Sequence, residues 1–153
     1  MSLSTLGTGE AVQIGLVVPN IEAAVQAWSA LLGVPPPDIT LTDPVDLAET
    51  EYRGGPTMAQ AKLAFFPLGQ VMLELIEPLG APSTWQEQLD AHGPSLHHIA
   101  FEVQGMAERL KDLASHGLSL VQRGEFSGGR YAYLDGLERF GAILELLEME
   151  SGE

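Results

Sequence analysis

The chain has 153 residues, no cysteine and a formal net charge of −14, from 21 acidic and seven basic side chains. This length suffices for one hydrophobic core, so we expect a single domain over residues 1–153. The negative charge repels phosphate backbones and anionic membrane surfaces. Since neither a spanning helix nor a signal peptide is recognisable, we expect a cytoplasmic protein with no nucleic-acid or membrane partner.

The first half of the chain begins with a strand predicted over residues 12–18, where apolar and polar side chains alternate. A helix follows between Asn20, a good N-cap, and Gly33, a typical helix stop. Two further strands are predicted over residues 62–66 and 71–77. The apolar stripe of the helix consists of Ile21, Val25 and Trp28.

A short linker helix separates the two halves, because Ser83 and Gln86 form a capping box and Gly93 supplies a stop. The second half repeats the order of the first. Its strands are predicted over residues 97–103, 130–134 and 142–148, and its helix starts at Met106 and stops before Gly117.

The repeat keeps a constant register through a strand and a helix. The equivalent pairs, each 85 residues apart, are Gln13 and His98, Ile21 and Met106, Val25 and Leu110, and Trp28 and Leu113. Glu74 and Glu145 are equivalent at a spacing of 71, so the first half is longer by 14 residues (85 − 71). We place the extra residues in the 35–37 turn and the 52–60 loop.

This repeat predicts an α+β fold of two tandem βαβββ modules. The first module spans residues 10–78 and the second spans residues 96–150. Residues 79–95 form the linker with the short helix.

Four polar residues fall on the strand face that does not pack on the helices: Gln13, Glu74, His98 and Glu145. An unpaired carboxylate amid leucine and isoleucine costs several kcal/mol, and Glu74 and Glu145 both stand in such strands. A bound cation is the simplest way to compensate the charge of these buried carboxylates. Two carboxylates at equivalent positions of a repeat, with His and Gln at two more, predict a metal site.

The donor set is one imidazole nitrogen, one amide oxygen and two carboxylates. It suits one divalent Zn, Co, Ni, Mn or Fe ion, and suits Ca²⁺ or Mg²⁺ less because of the imidazole. Because His98 must be neutral to bind, metal affinity is expected to weaken as the pH falls through about 6.5.

Three motifs carry a resemblance to a known family. They are His97-His98-Ile99-Ala100-Phe101-Glu102-Val103, Pro67-Leu68-Gly69 with Leu73-Glu74-Leu75-Ile76-Glu77-Pro78, and Leu144-Glu145-Leu146-Leu147-Glu148. Over residues 10–150 the chain resembles the vicinal oxygen chelate superfamily, which includes glyoxalase I, methylmalonyl-CoA epimerase, extradiol dioxygenases and bleomycin-resistance proteins. The resemblance implies a curved mixed sheet around a metal held by Gln13, Glu74, His98 and Glu145. Gln13 departs from the epimerase pattern, which commonly has His there, and resembles the glyoxalase I arrangement of higher organisms.

The resemblance also implies a function. It suggests a metal-dependent isomerase, epimerase or lyase that removes a proton next to a metal-coordinated carbonyl, with Glu145 as the base and Glu74 as its partner. Glu49 and Glu51 are weaker candidates for an additional acid. The implied substrate is a small molecule, such as a CoA thioester or a glutathione thiohemiacetal, and the implied assembly is a homodimer, with the site formed either within one chain or across the dimer.

Two alternatives remain on the same fold. An extradiol-type dioxygenase normally uses two His and one carboxylate for Fe²⁺, whereas this chain offers one His at the four positions. A metal-free binding protein, as in antibiotic resistance, would not need the four polar residues.

Other polar residues have ordinary interpretations. His97 is expected on the opposite strand face as a structural or supporting residue. Glu77 and Glu148 are expected at strand ends in solvent. Tyr131 and Tyr133 share a face and either line a pocket or pack in the core. Four basic residues either meet an anionic substrate or are surface charges: Arg53, Lys62, Arg123 and Arg130.

Overall fold

The structure of the protein is a computed structural model that describes residues 6–150. The two ends of the predicted domain, residues 1–5 and 151–153, lie outside the described residues. In chain order the elements are β1 (Gln13–Val17), α1 (Ile21–Leu32), β2 (Thr40–Leu41), α2 (Val45–Ala48), β3 (Glu51–Tyr52), β4 (Gly55–Pro56), β5 (Gln60–Leu68), β6 (Val71–Leu79), α3 (Thr84–His92), β7 (Ser95–Glu102), α4 (Met106–Ser115), β8 (Leu120–Phe126), β9 (Gly129–Leu134), α5 (Leu137–Phe140) and β10 (Ile143–Met149).

Between residues 6 and 150, ten strands form one mixed sheet in the order β2-β5-β6-β1-β7-β10-β9-β8-β3-β4. In each half, the first strand pairs in parallel with the last one, so β1 lies beside β6 and β7 lies beside β10. The halves join where β1 and β7 pair antiparallel. The predicted fold class is therefore confirmed: an α+β fold in which two βαβββ units build one curled sheet.

The helix signals read from the sequence are also confirmed. The Asn20 side chain caps α1 by accepting a hydrogen bond from the Ala23 amide at 3.1 Å, and Gly33 ends the helix with a φ of 69°. The Ser83 hydroxyl caps α3 by accepting from the Gln86 amide at 3.0 Å. Across the described part of the chain, no helix is both long and apolar enough to cross a membrane.

The two long helices bury equivalent apolar stripes on the convex side of the sheet. Residues of α1, including Ile21 and Val25, pack with buried residues of β5 and β6. Met106 and Leu113 of α4 pack in the same way with β9 and β10. Because both helices cover the convex face, the polar residues of the opposite phase are directed to the concave face.

The extra residues of the first half form more structure than the sequence indicated. Residues 42–59 contain α2 and the β3–β4 hairpin, and β3 pairs with β8 of the second half at Glu51↔Arg123. This segment, which we call the strap, therefore runs from one edge of the curled sheet to the other. The predicted 52–60 loop covers only part of it.

Glu77 and Glu148 do not lie free in solvent, so that expectation was wrong. Glu77 Oε1 accepts a hydrogen bond from the Ile21 amide at 2.9 Å, and Glu148 Oε2 accepts one from the Met106 amide at 3.0 Å. Each carboxylate thus meets the positive end of the helix in its own half. The hydrogen bond from the Met106 amide lowers the pKa of the Glu148 carboxyl.

Candidate metal centre and cavity

The structure brings together, within one chain, all four residues that the sequence singled out: Gln13, Glu74, His98 and Glu145. Sheet register explains how. Gly15 of β1 lies between Glu74 on β6 and His98 on β7. Ala100 of β7 lies between Gln13 on β1 and Glu145 on β10. The two small residues leave the space that the four polar side chains fill.

His98 Nε2 is the centre of this group. It lies 2.9 Å from Gln13 Oε1, 3.1 Å from Glu145 Oε1 and 3.3 Å from Glu74 Oε1. The ligand atoms of Glu74, His98 and Glu145 all lie within 4.8 Å of one another. The exposed fraction of these side chains is only 10% for Glu74, 5% for Glu145 and 0% for His98, so water does little to screen the two carboxylates from each other.

The His98 imidazole is therefore protonated on both nitrogens, and positively charged, when no metal is present. Burial lowers the pKa of His98, but Glu145 and Glu74 outweigh that effect and raise it to about 10. Burial raises the pKa of the Glu145 carboxyl, against the opposing effect of the charged His98. Two buried carboxylates thus receive a single compensating positive charge from the protein.

A divalent cation fits these residues better than one proton does. It would balance both carboxylates and leave His98 neutral with Nε2 as a ligand. The Gln13 amide can serve either state. Its oxygen side can face a cation, whereas its nitrogen side would donate to Glu145 Oε1 at 2.8 Å and to Glu74 Oε1 at 3.3 Å. A buried Glu, His and Glu group that could bind a metal is typical of this fold.

His97 corrects one expectation from the sequence, because it is not on the opposite face. Gly15 pairs with His98 and Leu16 pairs with Leu96, so His97 is an extra residue in a β-bulge. Both imidazoles are consequently buried side by side, with the two Nδ1 atoms 2.8 Å apart. Strand alternation alone could not reveal this.

His97 fixes the tautomer of His98. Burial, together with the charge on His98, lowers the pKa of His97 well below its ordinary value, so His97 is neutral. The Thr84 hydroxyl donates to Gln122 Oε1, so at the 3.1 Å contact with Thr84 Oγ1 the His97 Nε2 atom acts as the donor. His97 Nδ1 is then free to accept the Nδ1 proton of His98. This arrangement directs His98 Nε2 towards the carboxylates, as a ligand nitrogen requires.

The hydrogen bonds continue from Thr84 back to the cavity. Gln122 Oε1 accepts from the Thr84 amide at 2.8 Å and lies 3.1 Å from its hydroxyl, and Gln122 Nε2 donates to the Tyr131 hydroxyl at 3.1 Å. Burial raises the pKa of the Tyr131 hydroxyl, which therefore keeps its proton. Tyr131 can thus donate a hydrogen bond into the cavity that it lines.

Gly15 is a residue whose role the sequence analysis missed, although a glycine inside a strand signals close approach. The His98 ring lies directly over it: a Cβ added to Gly15 would be 2.5 Å from Nδ1 and 2.6 Å from Nε2 of that ring.

We expect Gly15→Ala to displace His98 and to weaken metal binding at least tenfold, with a loss of stability of about 1–3 kcal/mol from overpacking. Gly55→Ala is the matched control, because a Cβ at Gly55 would have no neighbour within 4 Å. Chelator competition and thermal unfolding measure the two effects. Unchanged metal affinity in Gly15→Ala would contradict the role of Gly15 in leaving space for the His98 ring.

A cavity of about 390 Å³ opens above the polar group. Its walls come from the concave faces of both halves and from the strap. The residues that line it include Asp43, Trp85, Glu125, Tyr131, Tyr133 and Met149. Tyr133 is buried against His98, with ring centroids 5.1 Å apart, and its hydroxyl accepts a hydrogen bond from Trp85 Nε1 at 3.0 Å. The two tyrosines therefore line the pocket, and Tyr133 also belongs to the core.

The structure does not bring Glu49 or Glu51 to this site. Glu49 is exposed at the end of α2, and Glu51 pairs with Arg123 at 3.3 Å. Neither residue lines the cavity. Asp43 and Trp85, which the sequence analysis did not single out, line it instead.

The chain is 37% identical over 92 residues to the uncharacterized protein YqjC of Bacillus subtilis strain 168, a match that covers 58% of this chain and 66%, just under two thirds, of that protein. A hypothetical protein from Bacillus halodurans C-125 superposes with a TM-score of 0.65 at 20% identity, over 94% of this chain and 96% of its own.

Methylmalonyl-CoA epimerases superpose similarly. That of Mycobacterium tuberculosis gives a TM-score of 0.61 at 20% identity, over 99% of this chain and 94% of its own. A Streptomyces coelicolor variant in complex with 2-nitronate-propionyl-CoA gives 0.62 at 19%, over 92% and 97%. The family model described as the glyoxalase/bleomycin resistance protein/dioxygenase superfamily matches residues 12–133. The chain therefore belongs to the glyoxalase/bleomycin resistance protein/dioxygenase superfamily.

Proposed function

We propose that the protein is a metal-dependent isomerase, epimerase or lyase that removes a proton from a carbon next to a carbonyl group. The observation that carries this proposal is the convergence of Glu74 and Glu145 on His98 Nε2, at 3.3 and 3.1 Å, at the floor of a cavity. Gln13, Glu74, His98 and Glu145 would hold the metal. All four belong to one chain, so the proposed site does not need a second subunit.

The protein groups have distinct roles in this proposal. When bound, a divalent ion supplies Lewis-acid polarisation of a substrate oxygen. Glu145 accepts the proton, because burial raises the pKa of its carboxyl towards the range in which a general base works well. Glu74 approaches His98 Nε2 from the opposite half of the sheet and is the partner that returns a proton. His97 holds His98 in place, and the Tyr131 hydroxyl donates to a substrate oxygen.

The relatives support this class of reaction. The superfamily has many enzyme members, and methylmalonyl-CoA epimerases share the fold over nearly the whole chain. The CoA compound in the Streptomyces coelicolor structure belongs to that protein, and for this chain a CoA thioester is one candidate substrate among others.

Metal content tests the proposal first. Protein purified without chelator, or reconstituted with Zn²⁺, Co²⁺, Ni²⁺ or Mn²⁺, should hold close to one ion per chain by elemental analysis. His98→Ala or Glu145→Ala should remove most of it, because each deletes one of the four proposed ligands. Gln13→His should retain the metal, since imidazole replaces an amide oxygen without changing charge.

The matched control is His92→Ala, at the exposed end of α3. Wild-type protein that stays metal-free after reconstitution would overturn the proposed function. Equal metal loss in His92→Ala and His98→Ala would instead show that the effect is not specific to the site.

Proton exchange tests the reaction. In D₂O the substrate carbon should gain deuterium without consumption of O₂, and the compounds to try are methylmalonyl-CoA, the methylglyoxal–glutathione hemithioacetal and an uncharged hydroxyketone such as hydroxyacetophenone. Consumption of O₂ in place of exchange would favour a dioxygenase. Tight binding with neither outcome would favour a binding protein.

A further inference from the structure

We infer that the cavity takes an uncharged, largely apolar substrate and excludes carboxylate and phosphate groups, so that among the compounds named above the uncharged hydroxyketone is favoured over methylmalonyl-CoA and the glutathione hemithioacetal. This inference rests on the proposed function, because it names the substrate class of the same site. It is carried by the charges around the cavity and by the composition of its walls.

The cavity wall contains no cationic side chain. The sequence has seven Lys and Arg residues, all of them within the described residues 6–150, and none of the seven is among the residues that line the cavity. An anionic group of a ligand would therefore be desolvated there without a countercharge, which is unfavourable.

The two arginines that pair with Glu125 of the cavity wall are already engaged. Arg123 pairs with Glu51 at 3.3 Å and with Glu125 at 3.0 Å. Arg130 pairs with Glu125 at 3.3 Å and with Glu148 at 2.8 Å. Arg130 also lies 3.8 Å from Glu150. Since these two cations are shared by four carboxylates, the network carries no excess positive charge for a ligand.

The remaining cations point to other surfaces. Lys62 pairs with Glu22 at 3.1 Å, and Arg53 pairs with Glu87 at 3.2 Å. Arg139 donates to the His116 carbonyl at 2.8 Å. The last two, Arg109 and Lys111, belong to α4 on the convex side of the sheet.

The ligand-facing charges of the cavity are instead negative. A divalent ion would be balanced by Glu74 and Glu145, so the metal centre itself has little excess positive charge. Asp43, which is exposed to solvent, adds a carboxylate to the wall, and across residues 6–150 it has no hydrogen-bond or ion-pair partner. An anionic substrate would therefore meet a like charge, whereas an uncharged one would not.

The rest of the wall is apolar or aromatic. Phe65, Trp85, Phe126 and Tyr131 contribute rings, and Leu63, Leu147 and Met149 contribute aliphatic surface. A wall of this kind stabilises a hydrophobic or aryl group by burial. The polar end of such a ligand would face the four residues at the cavity floor.

A pair of fluorescent probes that differ only in charge tests the inference. Phenylnaphthylamine is uncharged, and anilinonaphthalene sulfonate carries one negative group on the same ring system. Titrations use the Trp28→Phe chain, in which Trp85 on the cavity wall is the only tryptophan left to transfer excitation energy to a bound dye. Each dye is titrated into Zn²⁺-loaded protein and into chelator-treated protein.

The uncharged dye should bind at least about tenfold tighter than the sulfonate in both states, because the discrimination comes from the wall. Met149→Lys places a cation at the cavity rim and should reduce this ratio about tenfold. Leu137→Lys is the matched control: it adds the same charge at a similarly exposed position, 45% against 39%, that does not line the cavity.

Three results would overturn the inference: equal affinity for the two dyes, equal effects of Met149→Lys and Leu137→Lys, or no energy transfer from Trp85 to either dye. Failure of the proposed function is a separate result. A protein that binds no metal would refute the proposed function, while the dye ratio measured in chelator-treated protein would still decide the substrate class.

Discussion

Replacing Glu145 with Gln should slow deuterium incorporation into the substrate by a factor of about 10² to 10⁴, the usual effect of removing a general base. Gln keeps the size of the side chain and one oxygen that could still face a metal, but it cannot accept the proton. The rate of exchange in D₂O, followed by NMR or mass spectrometry, measures this effect on the compound that wild-type protein exchanges. Metal content of the variant is measured in parallel, so that a lost base can be distinguished from a lost ion.

Glu125→Gln is the matched control for Glu145→Gln. Both residues line the cavity, but Glu125 is paired with Arg123 and Arg130, away from His98. We expect the rate of deuterium exchange in this variant to stay within a few-fold of wild type.

Glu74→Gln should slow exchange as Glu145→Gln does if the two carboxylates act from opposite sides. Full exchange activity in Glu145→Gln would show that another group accepts the proton.

Metal affinity should rise about tenfold for each pH unit between pH 6 and 9, or about a thousandfold in total. The reason is that Glu145 and Glu74, acting against burial, raise the pKa of His98 to about 10 in the metal-free protein. At any pH below that value, a metal ion must displace one proton from Nε2 before it binds. The dependence should level off as the pH approaches 10.

This expectation replaces the one drawn from the sequence, in which an ordinary histidine would have confined the pH dependence to the region near 6.5. Competition with a chelator of known pH-dependent affinity measures the slope. Calorimetry in buffers with different ionisation enthalpies provides an independent check, because it should detect close to one proton released per ion at pH 7.5. An affinity that is constant above pH 7 would contradict proton displacement from His98.

The sequence predicted the candidate site because two local patterns were repeated. Alternation within a strand assigned Gln13 and His98 to the face opposite the helices, and the spacing of 85 residues made them equivalent. Glu74 and Glu145 followed from the same reasoning at a spacing of 71. Each pattern depends only on neighbouring residues, and the repeat then supplied the long-range relation between strands that a single half could not.

The features that the sequence did not reveal depend on contacts between distant segments. The extra residue, His97, cannot be recognised from the side-chain pattern of β7 alone, because the bulge is defined by the pairing of β7 with β1. The capping of α1 by Glu77 likewise joins residues 56 positions apart.

By itself, the sequence determined the α+β repeat, the boundaries of the three longest helices and the identity of the four polar residues on one face, because side-chain periodicity and capping are local properties. Only the tertiary structure decided how those residues meet and what surrounds them. It placed Gly15 beneath the His98 ring, carried the strap across to β8 and assembled a cavity wall without a cation. These features depend on which surfaces approach one another in the folded chain, and that information is distributed over both halves of the sequence.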